Sequence, residues 1–341
     1  EVLIERMGAG GDGIAPGPIY VPLGLPGERL HVDISGKRGD GDRAIIRDII
    51  TPSPDRIAPA CAHFLEGCGG CALQHWAPAP QAAWKQDRLR AALARGGFPE
   101  APVTETITTP PGARRRADFA IRRGTDGLRL GFHATGSAAI LDIATCPVLH
   151  PRLVALLAPL RDLLPRLPAL KRDGSAVMNL LDTGPDLLLR TDGALDAAGR
   201  ALLAAFAAKH GLPRIAWARG NGVPEIAAQL APASITLSGV PVTPGPGAFL
   251  QASPDGEQAI IAAMLAALPA KLAGRGRKLV RAQAEDAVIF HEHAGDVVVI
   301  LRDRELVIEA EFERAGFQFL RVVDARRRAV AEVPLADEPV A

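Results

Sequence analysis

The stretch Ala60-Cys61-Ala62-His63-Phe64-Leu65-Glu66-Gly67-Cys68-Gly69-Gly70-Cys71-Ala72-Leu73-Gln74-His75 decides how the rest of the chain is read. It holds three of the four cysteines, and the fourth, Cys146, precedes Pro147. Four thiolates satisfy either a tetrahedral metal ion or the four irons of a cubane cluster. Gly69 and Gly70 let the backbone fold tightly between Cys68 and Cys71 and leave amide N–H groups open toward sulfur. A thioredoxin-like redox pair fails, because Cys68 does not stand between a strand and a long helix. Ligand chemistry alone leaves zinc and iron–sulfur both open.

Outward from this stretch the chain divides. Residues 1–57 are short apolar runs broken by Gly and Pro, with strands expected at 2–4, 19–21, 30–34 and 44–46. Short strands at this spacing predict a small β-barrel. Thr51-Pro52-Ser53-Pro54 reads as a linker. Residues 58–245 read as a mixed α+β domain. Helices are expected at 81–95, 151–164 and 197–210, and strands at 118–123, 128–133, 176–181, 186–191 and 215–219. A third unit, 246–341, opens with a helix over 254–268, where Ser253 is a good N-cap and Pro254 suits the first helical position. A basic stretch over 271–278 comes next, then strands at 287–291, 296–302, 306–312 and 317–323, and a frayed tail over 331–341.

Composition narrows the function classes. The 341 residues carry 39 Lys plus Arg against 38 Asp plus Glu, a net charge of +1. That excludes a polybasic whole-chain nucleic-acid binder but not a local basic patch. Four Cys are too few for a disulfide-rich secreted scaffold. The longest apolar run, 259–268, stops at Pro269, well short of the roughly 20 residues of a membrane span. No signal peptide is read at the N-terminus, so a cytoplasmic location is expected. Residue 1 is Glu, so native residues are expected to precede it. The excess of Arg over Lys reads as a compositional bias of the genome.

The Cys61 to His75 stretch resembles the cluster signature of bacterial RNA (uracil-5-)-methyltransferases of the RumA/RlmD type. Arg114-Arg115-Arg116-Ala117 resembles the basic strand of that family. Leu130-Gly131-Phe132 through Thr145-Cys146-Pro147-Val148-Leu149 resembles its segment with the fourth cluster ligand. Phe249-Leu250-Gln251-Ala252-Ser253 resembles the opening of its catalytic domain, and the run from Gly8 to Ala15 resembles the start of its TRAM barrel. The resemblance spans about residues 1–268.

It implies a TRAM-like, OB-like barrel over 1–57, a central iron–sulfur and RNA-binding α+β domain over 58–245, and the remnant of an α/β methyltransferase domain over 246–341. It implies a [4Fe–4S] cluster on Cys61, Cys68, Cys71 and Cys146. Arg114, Arg115, Arg116, Arg122 and Arg123 would track RNA phosphates. Phe249 and Gln251 would meet cofactor or substrate. The implied activity is methyl transfer from S-adenosylmethionine to C5 of a uracil in RNA, with rRNA the expected partner. That reaction uses a Cys thiolate that adds to C6 and a Gly-rich cofactor turn. No Cys comes after Cys146, and only Gly274-Arg275-Gly276 stands where the turn is expected. A truncated or degenerate catalytic domain is therefore expected, with no catalytic residue assigned. Two classes stay open: a uracil-C5 methyltransferase, and a non-catalytic iron–sulfur RNA-binding protein or partner subunit. A zinc-stabilised binding protein is a third.

Other residues take plainer readings. His63 and His75 are read as neighbours of the cluster or RNA contacts rather than ligands. Phe64, Trp76 and Trp84 are read as packing around it. Gly220-Asn221-Gly222 is read as a tight turn.

Overall fold

The computed structural model describes residues 1–237 and 239–267 and, beyond them, the backbone of five strands between 288 and 334. The barrel is built from β1 (Val2–Leu3), β2 (Arg6–Met7), β3 (Gly13–Ala15), β4 (Ile19–Val21), β5 (Arg29–Arg38) and β6 (Gly41–Thr51), in the sheet order β1-β5-β6-β4-β3-β2. Its two edges, β1 and β2, are consecutive in the chain. Ile4 N–H donates to Glu28 and Glu5 N–H to Ile14, which stitches those edges together and closes the sheet. Ile4, Ala15, Val21, Leu30 and Ala44 fill the interior. The expected strands are present; β2 and β3 are too short to stand out from the glycines around them.

Glu28 fastens the barrel to the segment after β6. Its side chain is wholly buried, accepts from the Leu25 and Ser53 amides, and pairs with Arg56 at 2.5 and 2.7 Å. Met7 and Leu25 of the barrel pack on Trp76. Next come α1 (Ala62–Leu65) and α2 (Pro78–Arg95).

The central unit is a seven-stranded sheet. Its strands are β7 (Arg116–Gly124), β8 (Gly127–His133), β9 (Ile140–Asp142), β10 (Asp173–Leu181), β11 (Gly184–Thr191), β12 (Arg214–Arg219) and β13 (Glu225–Gln229), in the order β13-β12-β11-β10-β7-β8-β9. Only β11 and β12 are parallel, and α5 (Ala197–His210) makes the crossover between them. Asp196 caps α5 by accepting from Gly199 N–H at 2.7 Å, and Gly211 ends it in the left-handed conformation. The helix expected over 151–164 is instead α3 (Pro151–Val154), α4 (Leu157–Leu163) and a 3-10 turn (Leu164–Arg166). The break lets Leu153, Leu157, Leu160, Leu163 and Leu164 all face the sheet, a wider arc than one straight helix offers.

One sheet face, with Phe119, Ile121, Met178, Leu187, Leu189 and Ile215, packs under these helices. The other bears Val177, Leu188, Ala216 and Ala218. The ribbon β14 (Ile235–Leu237) and β15 (Val240–Val242) leads to residues 243–253, which cross that second face to reach α6 (Pro254–Ala267).

The last strands, β16 (Val288–His293), β17 (Asp296–Leu301), β18 (Leu306–Glu313), β19 (Gly316–Asp324) and β20 (Ala329–Pro334), form an antiparallel meander. Connections this short leave no room for crossover helices. Among the described residues the α/β pattern expected over 246–341 is therefore not formed. The basic stretch 271–278 and residues 335–341 lie outside the described residues. No described helix is long and apolar enough to cross a membrane.

Candidate functional site

Cys61 sits just before α1, and its side chain is buried. After Gly67, whose φ of +91° makes the turn, the loop docks on the end of β8. Gly69 N–H donates to His133 at 2.9 Å, and Thr135 N–H donates to Gly67 at 2.9 Å. A Cβ on Gly69 would stand 2.6 Å from the His133 carbonyl oxygen, so only glycine permits this approach. Cys146 arrives from the other side, on the loop after β9. Asp142 accepts from Leu130 N–H and from Arg161, and Arg161 also donates to the Ile143 carbonyl. Two pieces of chain 75 residues apart, ending at Cys71 and Cys146, are thus brought face to face.

All four Cys line one cavity of ≈ 230 Å³, together with Gln74, Arg114 and Arg116 among others. They are free thiols. Burial pushes the Cys68 and Cys146 thiols up, and the neighbouring thiols push the same way. The Gly70 N–H at Cys68, and the Val148 and Leu149 N–H groups at Cys146, oppose that rise. The expected ligands therefore share one cavity. Among the described residues, however, no group of three or more His, Cys, Asp or Glu is arranged to hold a metal ion.

The histidines do not complete such a set. His63 Nδ1 is 2.8 Å from Glu66, and its Nε2 accepts from Ala144 N–H at 3.3 Å, so both nitrogens are engaged. His75 is buried, stacked on Phe64 at 5.6 Å, and absent from the cavity wall. Burial, and then the Arg56 charge, lower its pKa to about 4, so the ring is neutral at pH 7. Two cavity-lining residues keep a buried polar atom without a partner: Gln74 Oε1 and Arg116 Nε.

The arginines separate by environment. Arg114 is exposed at the cavity, and Arg116 is half-buried there with its guanidinium carbon 5.9 Å from the Phe249 ring centroid. Arg115 points to the other side of the strand and is buried. It donates to the Gln251 carbonyl at 3.1 Å and to Glu257 at 2.6 Å. The expectation that Arg115 tracks phosphates is corrected: its guanidinium is spent inside the protein. Arg122 pairs with Asp173 at 2.8 Å, and Arg123 donates to the Leu164 and Pro165 carbonyls. Neither lines the Cys cavity.

Phe249 is 63% exposed although it is flanked by buried structure, and Gln251 is half-buried. The residues that hold this segment, Asn179, Arg214 and Glu257, carried no signal in the sequence. Their partners lie up to 142 residues away.

No protein-family profile matches the chain. An uncharacterized RNA methyltransferase of Brucella suis is 37% identical over 79% of this chain and 62% of its own length. One from Caulobacter vibrioides is 37% identical over 76% and 63%. The 23S rRNA (uracil(1939)-C(5))-methyltransferase RlmD of Aeromonas salmonicida is 33% identical over 86% of this chain and 67% of its own length. The chain thus spans somewhat under two thirds of the first two relatives. Among solved structures, the tRNA (uracil-54, C5)-methyltransferase of Pyrococcus abyssi, in complex with S-adenosyl-L-homocysteine, aligns with a TM-score of 0.56 at 18% identity. That alignment covers 78% of this chain and 65% of the other and speaks to the fold. The chain belongs to the family of RNA (uracil-C5) methyltransferases.

Proposed function

We propose that this chain serves in the methylation of uracil C5 in RNA, rRNA being the substrate class, with S-adenosylmethionine as methyl donor. Residues 1–57 are its TRAM-like barrel, 58–245 its iron–sulfur and RNA-binding domain, and 246 onward the start of its methyltransferase portion. One observation carries the reading. Arg114 and Arg116 line the Cys cavity, and the Arg116 guanidinium carbon lies 5.9 Å from the centroid of the exposed Phe249 ring. Arg side chains attract phosphates in a salt-dependent way, and an exposed ring offers a stacking surface to an unpaired base.

The group this reading places in the cavity is a [4Fe–4S] cluster rather than zinc, a choice that rests on the resemblance of the Cys61 to His75 stretch. Zinc needs four sulfurs at about 2.3 Å from one point, whereas a cubane spreads its thiolates over four irons. All four Cys line one space of ≈ 230 Å³. The amides of Gly70, Val148 and Leu149 supply the N–H groups that bound thiolates accept. When bound, such a cluster supplies positive iron to hold the thiolates and a rigid tie between the two loops.

The covalent route to C5 methylation needs a thiolate that is free to add at C6. All four Cys of the sequence line the cavity, so a cluster held by all four would leave none free for that addition. A second reading is an iron–sulfur RNA-binding protein without transfer activity of its own; the relatives, named as RNA methyltransferases, support the first reading over it. The test is a titration of the anaerobically reconstituted chain with an rRNA fragment at several salt concentrations, followed by incubation with labelled S-adenosylmethionine. Binding that weakens steeply with salt is expected, and absence of binding at low salt overturns both readings. Formation of 5-methyluridine selects the first reading, and binding without it selects the second.

A further inference from the structure

Residues 244–253 cross the second face of the central sheet, and three of their carbonyls are held by side chains: two from that face, Asn179 and Arg214, and one from Arg115, just before β7. Arg214 donates to Pro244 at 2.8 Å, Asn179 donates to Ala248 at 2.9 Å, and Arg115 donates to Gln251 at 3.1 Å. Two of the three anchors are themselves fixed by carboxylates, Asp186 buried and Glu257 half-buried. Arg214 pairs with Asp186 at 2.7 and 2.9 Å, and Arg115 pairs with Glu257 at 2.6 Å. The main chain adds to this, since Arg115 N–H donates to Ala252 and Leu180 N–H donates to Arg115. Gly247 lies so close to the sheet that a Cβ there would stand 2.7 Å from Leu188 Cδ2.

A crossing segment has no need of three buried polar anchors merely to reach the next helix. Leu250, buried with Leu181, Ala233 and Ile235, already gives it an apolar foot. Between the Ala248 and Gln251 anchor points stands the one large apolar side chain of the segment that is left mostly exposed, Phe249. Asn179 is also the cross-strand partner of Arg116, the residue whose guanidinium lies by the Phe249 ring.

We propose that residues 244–253 are a rigid strap that presents Phe249 beside Arg116 as a stacking platform for one unpaired base, and that Asn179 and Arg115 are its positioning residues. This rests on the RNA-binding reading above and deepens it. Fixing the ring before the base arrives removes the ordering entropy that a mobile loop would lose on binding.

The test uses the full chain and a short single-stranded oligouridylate that carries one 2-aminopurine, whose fluorescence falls when the base stacks. Phe249→Ala should abolish the quench and weaken binding by roughly tenfold, as the loss of one base–aromatic stack implies. Asn179→Leu and Arg115→Lys should each lower the quench in the bound complex while the salt dependence stays as in the parent. The double variant Asn179→Leu/Phe249→Ala should lose no more affinity than Phe249→Ala alone, because both act through one ring. An unchanged quench in Asn179→Leu and Arg115→Lys, with Phe249→Ala still defective, overturns the strap and leaves the RNA reading standing. A Phe249→Ala variant that binds and quenches like the parent overturns the platform, and failure of the parent to bind overturns the RNA reading as well. Should the anchor variants not fold, hydrogen exchange on the unmodified chain decides: the Arg115 and Leu180 amides should exchange as slowly as the middle of β10, and fast exchange overturns the strap.

Discussion

The Cys cavity and the strap lie on either side of Arg116, and they treat polar atoms in opposite ways. Around the cavity, Gln74 Oε1 and Arg116 Nε are buried without partners, and two thiols are pushed up by burial. Along the strap, Arg115 and Arg214 are each tied to a carboxylate and a carbonyl. Asn179 is the exception on the strap side: its Nδ2 holds the strap, while its Oδ1 has no partner. Buried polar atoms left open are unfavourable unless something arrives to meet them. Polar atoms are left open at the cavity, while Arg115 and Arg214 have theirs paired along the strap.

The largest test of that contrast is removal of a ligand. Cys71→Ser should bleach the visible thiolate-to-iron charge-transfer absorbance of anaerobic protein and loosen the loops around it. Glu257→Gln, on the strap, should leave the absorbance intact. A colourless parent with one stoichiometric zinc would remove the iron–sulfur reading.

The next effect is in folding stability and runs the other way. Glu257→Ala leaves Arg115 as a buried charge without its carboxylate, and breaking such a pair costs about 3–5 kcal/mol. Gln74→Leu takes away an acceptor that has no partner, so the metal-free chain should lose little stability, within about 1 kcal/mol. Urea unfolding of both variants under metal-free conditions measures the difference. Equal losses would mean that the cavity is already satisfied without a ligand.

These two regions also differ in how far the sequence discloses them. The Cys set could be named from residue type, because Cys, Gly and their short spacing are rare and chemically specific, and the barrel strands and the α5 helix came from short-range patterns. The strap could not. An Arg among three in a row gives no sign that its side chain points inward, and only the strand alternation fixed once β7 is in place turns Arg115 away from Arg114 and Arg116. Phe249 and Gln251 were visible by resemblance, yet the residues that hold them come from β10, β12 and α6, whose proximity exists only in the folded sheet. Strands β16 to β19 were likewise legible but not their topology, and β20 runs over 331–334, where a frayed tail was expected.

A third effect concerns pH. His75 lies behind the cavity, 2% exposed, with both ring nitrogens unpartnered. Its folded pKa of about 4 lies below the ordinary 6.5, because burial and then Arg56 disfavour the imidazolium. The unfolded chain therefore binds this proton first as the pH falls. The stability tied to the neutral ring is complete above pH 6.5 and is lost on descent toward pH 4, about 3 kcal/mol in all. His75→Phe keeps a ring against Phe64 and cannot protonate, so its unfolding free energy should fall less than the parent's between pH 7 and 4.5. Parallel curves for the two would place a partner at the His75 nitrogens.

The smallest effect is the sharpest on the arginines. If Arg114 and Arg116 meet phosphates and Arg115 does not, three adjacent residues should differ in salt dependence, not only in affinity. Each phosphate contact on a single strand contributes about 0.7 to the slope of log K against log salt. Arg114→Ala should therefore flatten the slope by about 0.7 with a modest loss of affinity at low salt. Arg116→Ala should do the same and also disturb the Phe249 ring beside it. Arg115→Lys should leave the slope at the parental value, because its guanidinium lies buried against Glu257, out of reach of any phosphate. A slope that falls with Arg115→Lys but not with Arg114→Ala would reverse the faces assigned to this strand. The contrast between an open cavity and a closed strap would go with it, since both depend on which way these three side chains turn.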